Sequence, residues 1–264
     1  MPDFLDVLAR DAKETIRSGY YQVPTQTRTA PISLKKAILK SKTVPVITEI
    51  KAASPSAGVI RTNVKAADVA RAMERGGAVG ISVLTEPTHF HGSLHSLVEA
   101  RKAVKLPILM KDIILSPVQV EAASKVGANA VLLIQALFNR KHSECSIKEM
   151  IAEAHSRNLE VLLETHNEDE FRFAVETDAD LVGINNRDLG TLKVDLNVTK
   201  QILENNNAKE KFVVSESGVN TLADLRFLHA CGANAILIGS AIMQAGNVEE
   251  KVKEFVQSLC AQLE

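Results

Sequence analysis

The sequence predicts an α/β protein, a (β/α)8 TIM barrel with an N-terminal helical extension. Eight short apolar runs rich in Val, Ile and Leu each end in a polar or charged residue. Most segments between the runs have apolar residues at helical spacing, so strand and helix alternate at intervals of roughly 20 to 35 residues. The length of 264 residues is close to the ~250 of one barrel domain. We therefore expect a single domain over 1–264, with 1–44 as the extension.

The extension contains two predicted helices. Apolar residues at helical spacing predict both, and Ser33 is the expected N-cap of the second. Between them, residues 18–33 contain Pro24 and Pro31 and no apolar period, which predicts an exposed connection. The extension is expected to be either a lid over the barrel mouth or a plug in one barrel end, and the sequence favours neither. The apolar residues concerned are Phe4, Leu5, Val7, Leu8, Ala12 and Ile16, then Leu34, Ala37, Ile38 and Leu39.

The barrel is expected to begin at residue 45. Ser116 and Pro117 are typical of a helix start after the third run, and Gly127 is typical of its end. Asn167 similarly opens the helix after the fifth run. The eight runs are 45–51, 79–86, 107–112, 130–135, 160–165, 180–187, 211–217 and 234–240.

The ends of these runs carry the candidate catalytic residues. In a closed barrel the C-terminal ends of all eight strands meet at one mouth, where the active sites of such barrels are found. A mixture of lysines and carboxylates there can keep one group protonated and another ionised at neutral pH, which acid and base steps require. The residues at this mouth are Glu49, Lys51, Lys111, Glu164, Asn185, Arg187, Glu216 and Ser217.

Lys111 and the Glu49–Lys51 pair are the strongest of these candidates. We expect burial at the end of the third strand to lower the pKa of Lys111 towards values useful for acid catalysis. The alternative is a purely structural pair with Asp112. The spacing of Glu49 and Lys51, two residues apart in a strand, places both side chains on the same face.

Gly and Ser residues follow the seventh and eighth strands, where barrels bind phosphate through backbone N–H groups and a helix N-terminus. Ser217, Gly218, Gly239 and Ser240 are the candidates, and tight turns are the alternative use of the glycines. Phe90, in the loop after the second strand, is expected either to stack on a ring of the substrate or to pack beneath its own loop. No metal site is predicted, because the histidines share no recognisable ligand spacing with carboxylates or cysteines.

Composition excludes several classes of function. With 31 basic and 32 acidic residues the net charge is −1, so no overall field favours nucleic acid or an anionic membrane. The three cysteines are widely spaced, which predicts reduced thiols and a cytoplasmic location. No apolar stretch has the length of a signal peptide core or of a transmembrane helix.

Taken together, the motifs resemble those of the indole-3-glycerol phosphate synthase family over nearly the whole chain. The resemblance implies ring closure of 1-(2-carboxyphenylamino)-1-deoxyribulose 5-phosphate in tryptophan biosynthesis, with loss of carbon dioxide and water and with no cofactor. The motifs are Glu49-Ile-Lys51-Ala-Ala-Ser54-Pro-Ser56, Ile81-Ser-Val-Leu-Thr85, Phe90-His-Gly92-Ser93, Pro107-Ile-Leu-Met-Lys111-Asp112, Gly183-Ile-Asn185-Asn-Arg187-Asp-Leu189, Ser215-Glu216-Ser217-Gly218 and Leu237-Ile-Gly239-Ser240.

The resemblance also implies roles for individual residues. Lys111 would be the general acid that protonates the ribulose carbonyl, and Glu164 would assist proton removal in the dehydration. Glu49 and Lys51 would serve acid and base steps and bind the substrate carboxylate, and how these three divide the dehydration stays open. Asn185 and Arg187 would orient the substrate and the charged network, and Glu216, which matches a family position at the end of the seventh strand, would be a further catalytic carboxylate. The implied substrate-binding positions are Ser54, Phe90, Ile113, Arg187, Ser217, Gly218, Gly239 and Ser240.

Ile113 departs from the family pattern, which usually has Phe after the Lys-Asp pair. The wall beside the aromatic ring of the substrate is then expected to be thinner, which affects affinity and positioning rather than the reaction. Ala52 and Ala53 also replace a basic residue often found there.

Two other functions compete with this interpretation. One is another phosphosugar-binding barrel, such as phosphoribosylanthranilate isomerase, and the other is an inactive barrel that acts as a binding scaffold. The isomerase would not explain Lys111 and Glu164 together with the Glu49–Lys51 pair, and intact acid and base positions argue against a scaffold. The expected partner is a small phosphorylated substrate, and other enzymes of tryptophan biosynthesis are candidate protein partners.

Overall fold

Eight parallel strands close into a barrel in the computed structural model, which describes residues 3–25, 32–55 and 58–258. Neighbours in the chain are neighbours in the barrel, and Val46 of the first strand lies opposite Ile236 of the last, which closes the ring. Each strand lies within one predicted run, so the predicted TIM barrel is confirmed. The strands are β1 (Val46–Ile50), β2 (Gly80–Leu84), β3 (Ile108–Lys111), β4 (Ala130–Ile134), β5 (Glu160–Thr165), β6 (Leu181–Asn185), β7 (Phe212–Glu216) and β8 (Ala235–Ile238).

Helices connect the strands and cover the outside of the barrel. Ser116 and Gln119 form the predicted capping box, and Gly127 ends that helix with a left-handed φ of 89°. None of the described helices is long and apolar enough to cross a membrane. The helices are α1 (Phe4–Arg17), α2 (Leu34–Lys40), α3 (Ala66–Arg75), α4 (Leu94–Ala103), α5 (Pro117–Val126), α6 (Gln135–Asn139), α7 (Ile147–Ser156), α8 (Glu168–Ala174), α9 (Asn197–Asn205), α10 (Leu222–Ala230), α11 (Ser240–Met243) and α12 (Val248–Val256). The loop after β1 also carries a short antiparallel hairpin of Ala53–Ser54 and Gly58–Val59.

Two apolar clusters stabilise this arrangement. The larger one lies between the strands and the surrounding helices. The smaller one fills the inside of the barrel, and the apolar faces of α1 and α2 join it. Its barrel residues include Ile47, Leu109, Leu132, Leu162, Leu181, Val214 and Leu237.

Helix α1 lies across the mouth of the barrel. Phe4 and Leu8 line the cavity at the C-terminal ends of the strands. Hydrogen bonds attach the polar side of the helix to two loops of the mouth: Asp11 lies 2.9 Å from Nε2 of His89, and Asp6 lies 2.9 Å from Nε2 of His142. This helix therefore occupies the position expected of a lid.

Helix α2 closes the opposite end of the barrel. The backbone N–H of Leu34 donates to Oε2 of Glu160, the first residue of β5, over 2.7 Å. The side chain of Leu34 packs so closely over Gly80, the first residue of β2, that a Cβ at Gly80 would lie 2.6 Å from it. The lid and the plug were predicted as alternatives for the whole extension. In the structure, α1 occupies the lid position and α2 occupies the plug position.

The predicted exposed connection after α1 is only partly confirmed in the part that the structure describes, because Ser18, Gln22, Pro24 and Thr25 are exposed but two tyrosines are anchored by hydrogen bonds. The side chain of Tyr21 is only 2% exposed and its hydroxyl donates to both carboxylate oxygens of Asp112 over 3.0 Å. The Tyr20 hydroxyl donates to the Thr85 carbonyl over 3.0 Å. Aromatic anchors thus replace the apolar period that residues 18–25 lack. Residues 26–31 of the same prediction lie outside the described residues.

Candidate active site

A cavity opens at the C-terminal ends of the strands, and most of the site residues predicted from the sequence line it. Glu216 is the exception: its side chain has no exposed surface and lies behind Lys111, outside the cavity lining. The other thirteen line the cavity, and they are Glu49, Lys51, Ser54, Phe90, Lys111, Ile113, Glu164, Asn185, Arg187, Ser217, Gly218, Gly239 and Ser240.

Lys111 lies at the centre of the charged part of this cavity. Its Nζ is 2.5 Å from Oε2 of Glu216, and it is 3.8 Å from one oxygen each of Glu49 and Glu164. The strands bring these groups together because all four residues are among the last two of their strands and their side chains point into the barrel. The alternative pairing of Lys111 with Asp112 is wrong, since the Asp112 carboxylate accepts hydrogen bonds from Tyr21 and Thr85 instead.

The expected direction of the Lys111 pKa is also wrong. Burial on its own would lower the pKa of this ammonium group, as predicted. The charges of Glu216, Glu49 and Glu164 outweigh burial and raise the pKa of Lys111 above its ordinary value. Because its pKa is raised, Lys111 is protonated at neutral pH. The sequence identified the burial of the lysine but not how many carboxylates contact it.

The two carboxyl groups on either side of Lys111 differ in their proton affinity. Burial raises the pKa of Glu216, and the negative charge of Glu164 raises it further. Lys111 offsets only part of this increase, so the pKa of Glu216 is about 7. Burial also acts to raise the pKa of Glu164, but the contact with His166 and the charge of Lys111 outweigh it and lower that pKa to about 2. A proton donor and a proton acceptor can thus coexist around one ammonium group.

Two glycines allow these carboxylates to lie where they do. A Cβ on Gly183 of β6 would lie 2.4 Å from Oε1 of Glu216, and a Cβ on Gly239 would lie 2.4 Å from Oε1 of Glu49. A side chain at either position would therefore displace the neighbouring carboxylate. Glycine is therefore needed at position 239 for a reason besides phosphate binding, because it leaves room for the Glu49 carboxylate.

Glu49 and Lys51 form the ion pair expected from their spacing. Lys51 Nζ lies 2.7 Å from Oε1 of Glu49, and 15% of the lysine side chain is exposed towards the cavity. Burial acts to raise the pKa of Glu49, but Lys51 and Lys111 outweigh it, and the net shift is downwards. In the part of the chain that the structure describes, no group of three or more His, Cys, Asp or Glu side chains is arranged to hold a metal ion.

Residues after β6 form one wall of the cavity. The Asn185 side-chain oxygen accepts a hydrogen bond from the Arg187 backbone N–H over 3.0 Å, and Nη1 of Arg187 donates to the Leu192 carbonyl over 2.9 Å. The guanidinium is half-buried and faces the same cavity. Apolar side chains form the opposite wall, and they are Phe4, Leu8, Phe90, Ile113, Leu132 and Ile134.

The backbone after β7 turns sharply at the other end of the cavity. Ser217 and Gly218 are successive residues in the left-handed region, with φ values of 67° and 95°. Asn186 Nδ2 donates to the Ser217 carbonyl over 3.2 Å and Asn220 Nδ2 to the Gly218 carbonyl over 3.0 Å, which fixes both peptide groups. A Cβ on Gly218 would lie 2.6 Å from Val194, so a turn and close packing both require this glycine.

Sequence reasoning missed two buried charged residues beside the cavity. Glu86, after β2, accepts hydrogen bonds from the backbone N–H groups of His89 and Phe90 over 2.7 and 3.0 Å and so fixes the loop that carries Phe90. His166, after β5, contacts Glu164. The sequence signal for His166 was its spacing of two residues from Glu164, the same spacing that drew attention to Glu49 and Lys51.

Comparisons with known proteins agree on one family. A family model described as "Indole-3-glycerol phosphate synthase" matches residues 6–255. The chain is 46% identical over 235 residues to the indole-3-glycerol phosphate synthase of Methanocaldococcus jannaschii, covering 85% of this chain and 83% of that protein. It is 42% identical over 252 residues to the indole-3-glycerol phosphate synthase of Methanopyrus kandleri, covering 93% and 96%.

A solved structure shares the fold at low sequence identity. The thiamine phosphate pyrophosphorylase from Pyrococcus furiosus superposes with a TM-score of 0.62 and 18% identity, over 88% of this chain and 100% of that chain. At this identity the likeness shows the barrel fold and no more.

Proposed function

Because the chain belongs to the indole-3-glycerol phosphate synthase family, we propose how its own side chains carry out the ring closure. The activity is that of a lyase in tryptophan biosynthesis. It converts 1-(2-carboxyphenylamino)-1-deoxyribulose 5-phosphate to indole-3-glycerol phosphate with loss of carbon dioxide and water. The observation that carries the proposal is the position of Lys111 Nζ within 3.8 Å of three carboxylates at the cavity floor.

Lys111 is the general acid of the first step in this proposal. The ring carbon that bears the carboxylate attacks the ribulose carbonyl carbon, and Lys111 donates a proton to the carbonyl oxygen as it gains charge. The electron pair of the bond to the carboxylate then returns to the ring as carbon dioxide leaves. The raised pKa of Lys111 supports this role, because it keeps the ammonium group charged before each turnover.

Glu164 is the base of the dehydration. The hydroxyl formed in the first step leaves as water, and a proton must be removed from the substrate to form the pyrrole ring. The lowered pKa of Glu164 supports its role as acceptor, and the raised pKa of Glu216 supports a role in returning a proton to Lys111, 2.5 Å away. Glu49 holds Lys51 and Lys111 in place and completes the charged network.

Substrate binding is divided among three parts of the cavity. Lys51 binds the substrate carboxylate, since it has a single carboxylate partner within 4.0 Å among the described residues and an exposed side. Phe90 and Ile113 contact the aromatic ring, while Asn185, Arg187 and Ser54 orient the ribulose portion. The backbone N–H groups of Ser217, Gly218, Gly239 and Ser240 bind the phosphate, and the start of α11, which has no side-chain cap, supports this assignment.

Domain organisation and location complete the proposal. We infer a single domain over 1–264, because α1 and α2 contribute to the same inner cluster as the strands. The free thiols of Cys145 and Cys231 support a cytoplasmic location. Docking to other enzymes of tryptophan biosynthesis stays a prediction.

Turnover of the carboxyphenylamino substrate tests the proposal directly. Formation of the indole ring is followed by its fluorescence, and phosphoribosylanthranilate serves as the competing substrate. We expect turnover of the first compound and none of the second. Binding of a reduced, uncyclisable analogue without turnover of the substrate itself would instead indicate an inactive scaffold.

A further inference from the structure

We propose that His166 is a positioning residue that holds Glu164 in its ionised form and so decides which of the two buried carboxyl groups acts as the base. The proposal deepens the proposed function and rests on it. His166 does not line the cavity, so it acts through Glu164 rather than on the substrate.

His166 lies between two carboxylates. Its Nε2 is 3.2 Å from Oε1 of Glu164, and its Nδ1 is 3.5 Å from Oε2 of Glu170. Only 13% of the side chain is exposed. Glu170 is itself fixed, because it accepts the backbone N–H of His166 over 2.9 Å and its own N–H donates to the Asn167 side chain over 2.9 Å.

The charges around the imidazole are negative on each element that faces it. Glu164 faces it from β5, Glu170 from α8, and Asp188 adds a longer-range interaction from the loop after β6. Burial alone would lower the pKa of His166, but its close contacts with the Glu164 and Glu170 carboxylates outweigh burial and raise the pKa to about 9. An imidazolium therefore lies behind Glu164 at neutral pH.

This cation makes the environments of Glu164 and Glu216 different. Glu164 has a cation near each oxygen, with His166 near Oε1 and Lys111 near Oε2. Glu216 has Lys111 near Oε2, and its buried Oε1 has no hydrogen-bond partner among the described residues. The two glutamates share Lys111, so His166 is the contact that distinguishes them.

The pH profile of kcat/KM in a His166→Gln variant tests this role. Loss of the cation should raise the proton affinity of Glu164, so we expect the acidic limb of the profile to move up by about one pH unit. Activity should recover towards the parent value above that limb. His155→Gln is the matched control, because His155 also pairs with a carboxylate, Asp180, at 2.9 Å but lies at the other end of the barrel. A uniform loss of rate at every pH with an unmoved acidic limb would indicate a merely structural role and overturn the proposal.

A second measurement does not depend on turnover or on the folding of the His166 variant. The imidazole titration of His166 is followed by NMR in the parent and in Glu164→Gln. We expect a midpoint above the ordinary value in the parent and a midpoint lower by about one unit in Glu164→Gln, because one counter-charge is lost. An ordinary or lowered midpoint in the parent would overturn the inference. Absence of substrate turnover in the parent would refute the proposed function and leave this titration unaffected.

Discussion

Lys111 and Glu216 meet across the interior of the barrel, with 2.5 Å between Nζ of the lysine and Oε2 of the glutamate. Their strands, β3 and β7, lie on opposite sides of the eight-stranded ring. The contact therefore links two halves of the molecule at the floor of the cavity. The Glu216 carboxylate also fills the space that a side chain at position 183 would need.

Lys111→Ala should reduce turnover by about 10² to 10⁴-fold, the usual range for loss of a general acid. The loss follows because no other described cation lies as close to Glu216 and Glu164 together. Steady-state kinetics measure the effect, with circular dichroism as the check on folding. Lys102→Ala, an exposed lysine of α4, is the control and should retain the parent rate. Near-parent turnover by folded Lys111→Ala would remove Lys111 from the mechanism.

Ser240→Asp should raise KM strongly with little change in stability. The N-terminus of α11 favours a negative charge, so the new carboxylate is tolerated, but it repels the substrate phosphate from the same N–H groups. Ser240→Asn has nearly the same shape without the charge and should stay closer to the parent KM. If both variants bind substrate as the parent does, the phosphate lies elsewhere.

Ile113→Phe should tighten binding of an uncyclisable substrate analogue. Ring contact could contribute about 0.5 to 1.5 kcal/mol if the rings meet edge to face or offset. The opposing effect is overpacking, which costs about 1 to 3 kcal/mol, since Ile113 is only 5% exposed and packs in the inner cluster. Calorimetric titration decides between them, with Ile113→Leu as the volume-conserving control. Weaker binding by the Phe variant would mean that the barrel has repacked around isoleucine.

Asp112→Asn should remove one part of the pH dependence of stability. Burial raises the pKa of Asp112 from 3.8 to about 6, so the folded state holds a proton that the unfolded state releases between these values. The parent therefore loses stability as pH rises through this window, and the variant does not. Relative to the parent, the variant should gain about 3 kcal/mol between pH 3.5 and pH 7. Urea unfolding at several pH values measures this, and parallel curves for the two proteins would contradict it.

Two truncations should separate the roles of the extension helices. Deleting residues 1–18 removes α1, exposes the apolar cavity wall and should raise KM. Deleting residues 1–40 should give the same KM as the shorter deletion. It should also lower the free energy of unfolding by a further amount of about 3 to 6 kcal/mol, because Leu34 and Ile38 lose their burial. Analogue binding and urea unfolding measure the two effects. A 1–18 deletion that binds the analogue as the parent does would show that α1 is not a lid.

The pattern of the sequence was sufficient for the barrel and for most of the charged residues that line the cavity, but it missed Glu86 and wrongly included Glu216. A strand that ends in Glu or Lys delivers that residue to the mouth whatever its neighbours are, so Lys111 and Glu164 could be placed without coordinates. The pairing between side chains from different strands could not be predicted from the sequence. The direction of the Lys111 pKa depends on three carboxylates that meet it across the barrel, and the burial of Tyr21 depends on Asp112, 91 positions away. His166 was missed because a histidine after a strand has many possible neighbours, of which Glu170 lies on the next helix.

The plug at the base of the barrel imposes an order on synthesis. Ser33, which caps α2, bonds to Glu160, 127 positions later in the chain. At ribosomal rates of about 5 to 20 residues per second, α2 waits roughly 6 to 25 seconds for its docking partner to be made. During that interval Leu34 and Ile38 have no barrel base to bury them. Helix α2 thus emerges well before the strand on which it docks, and a chaperone would find apolar surface to bind during this interval.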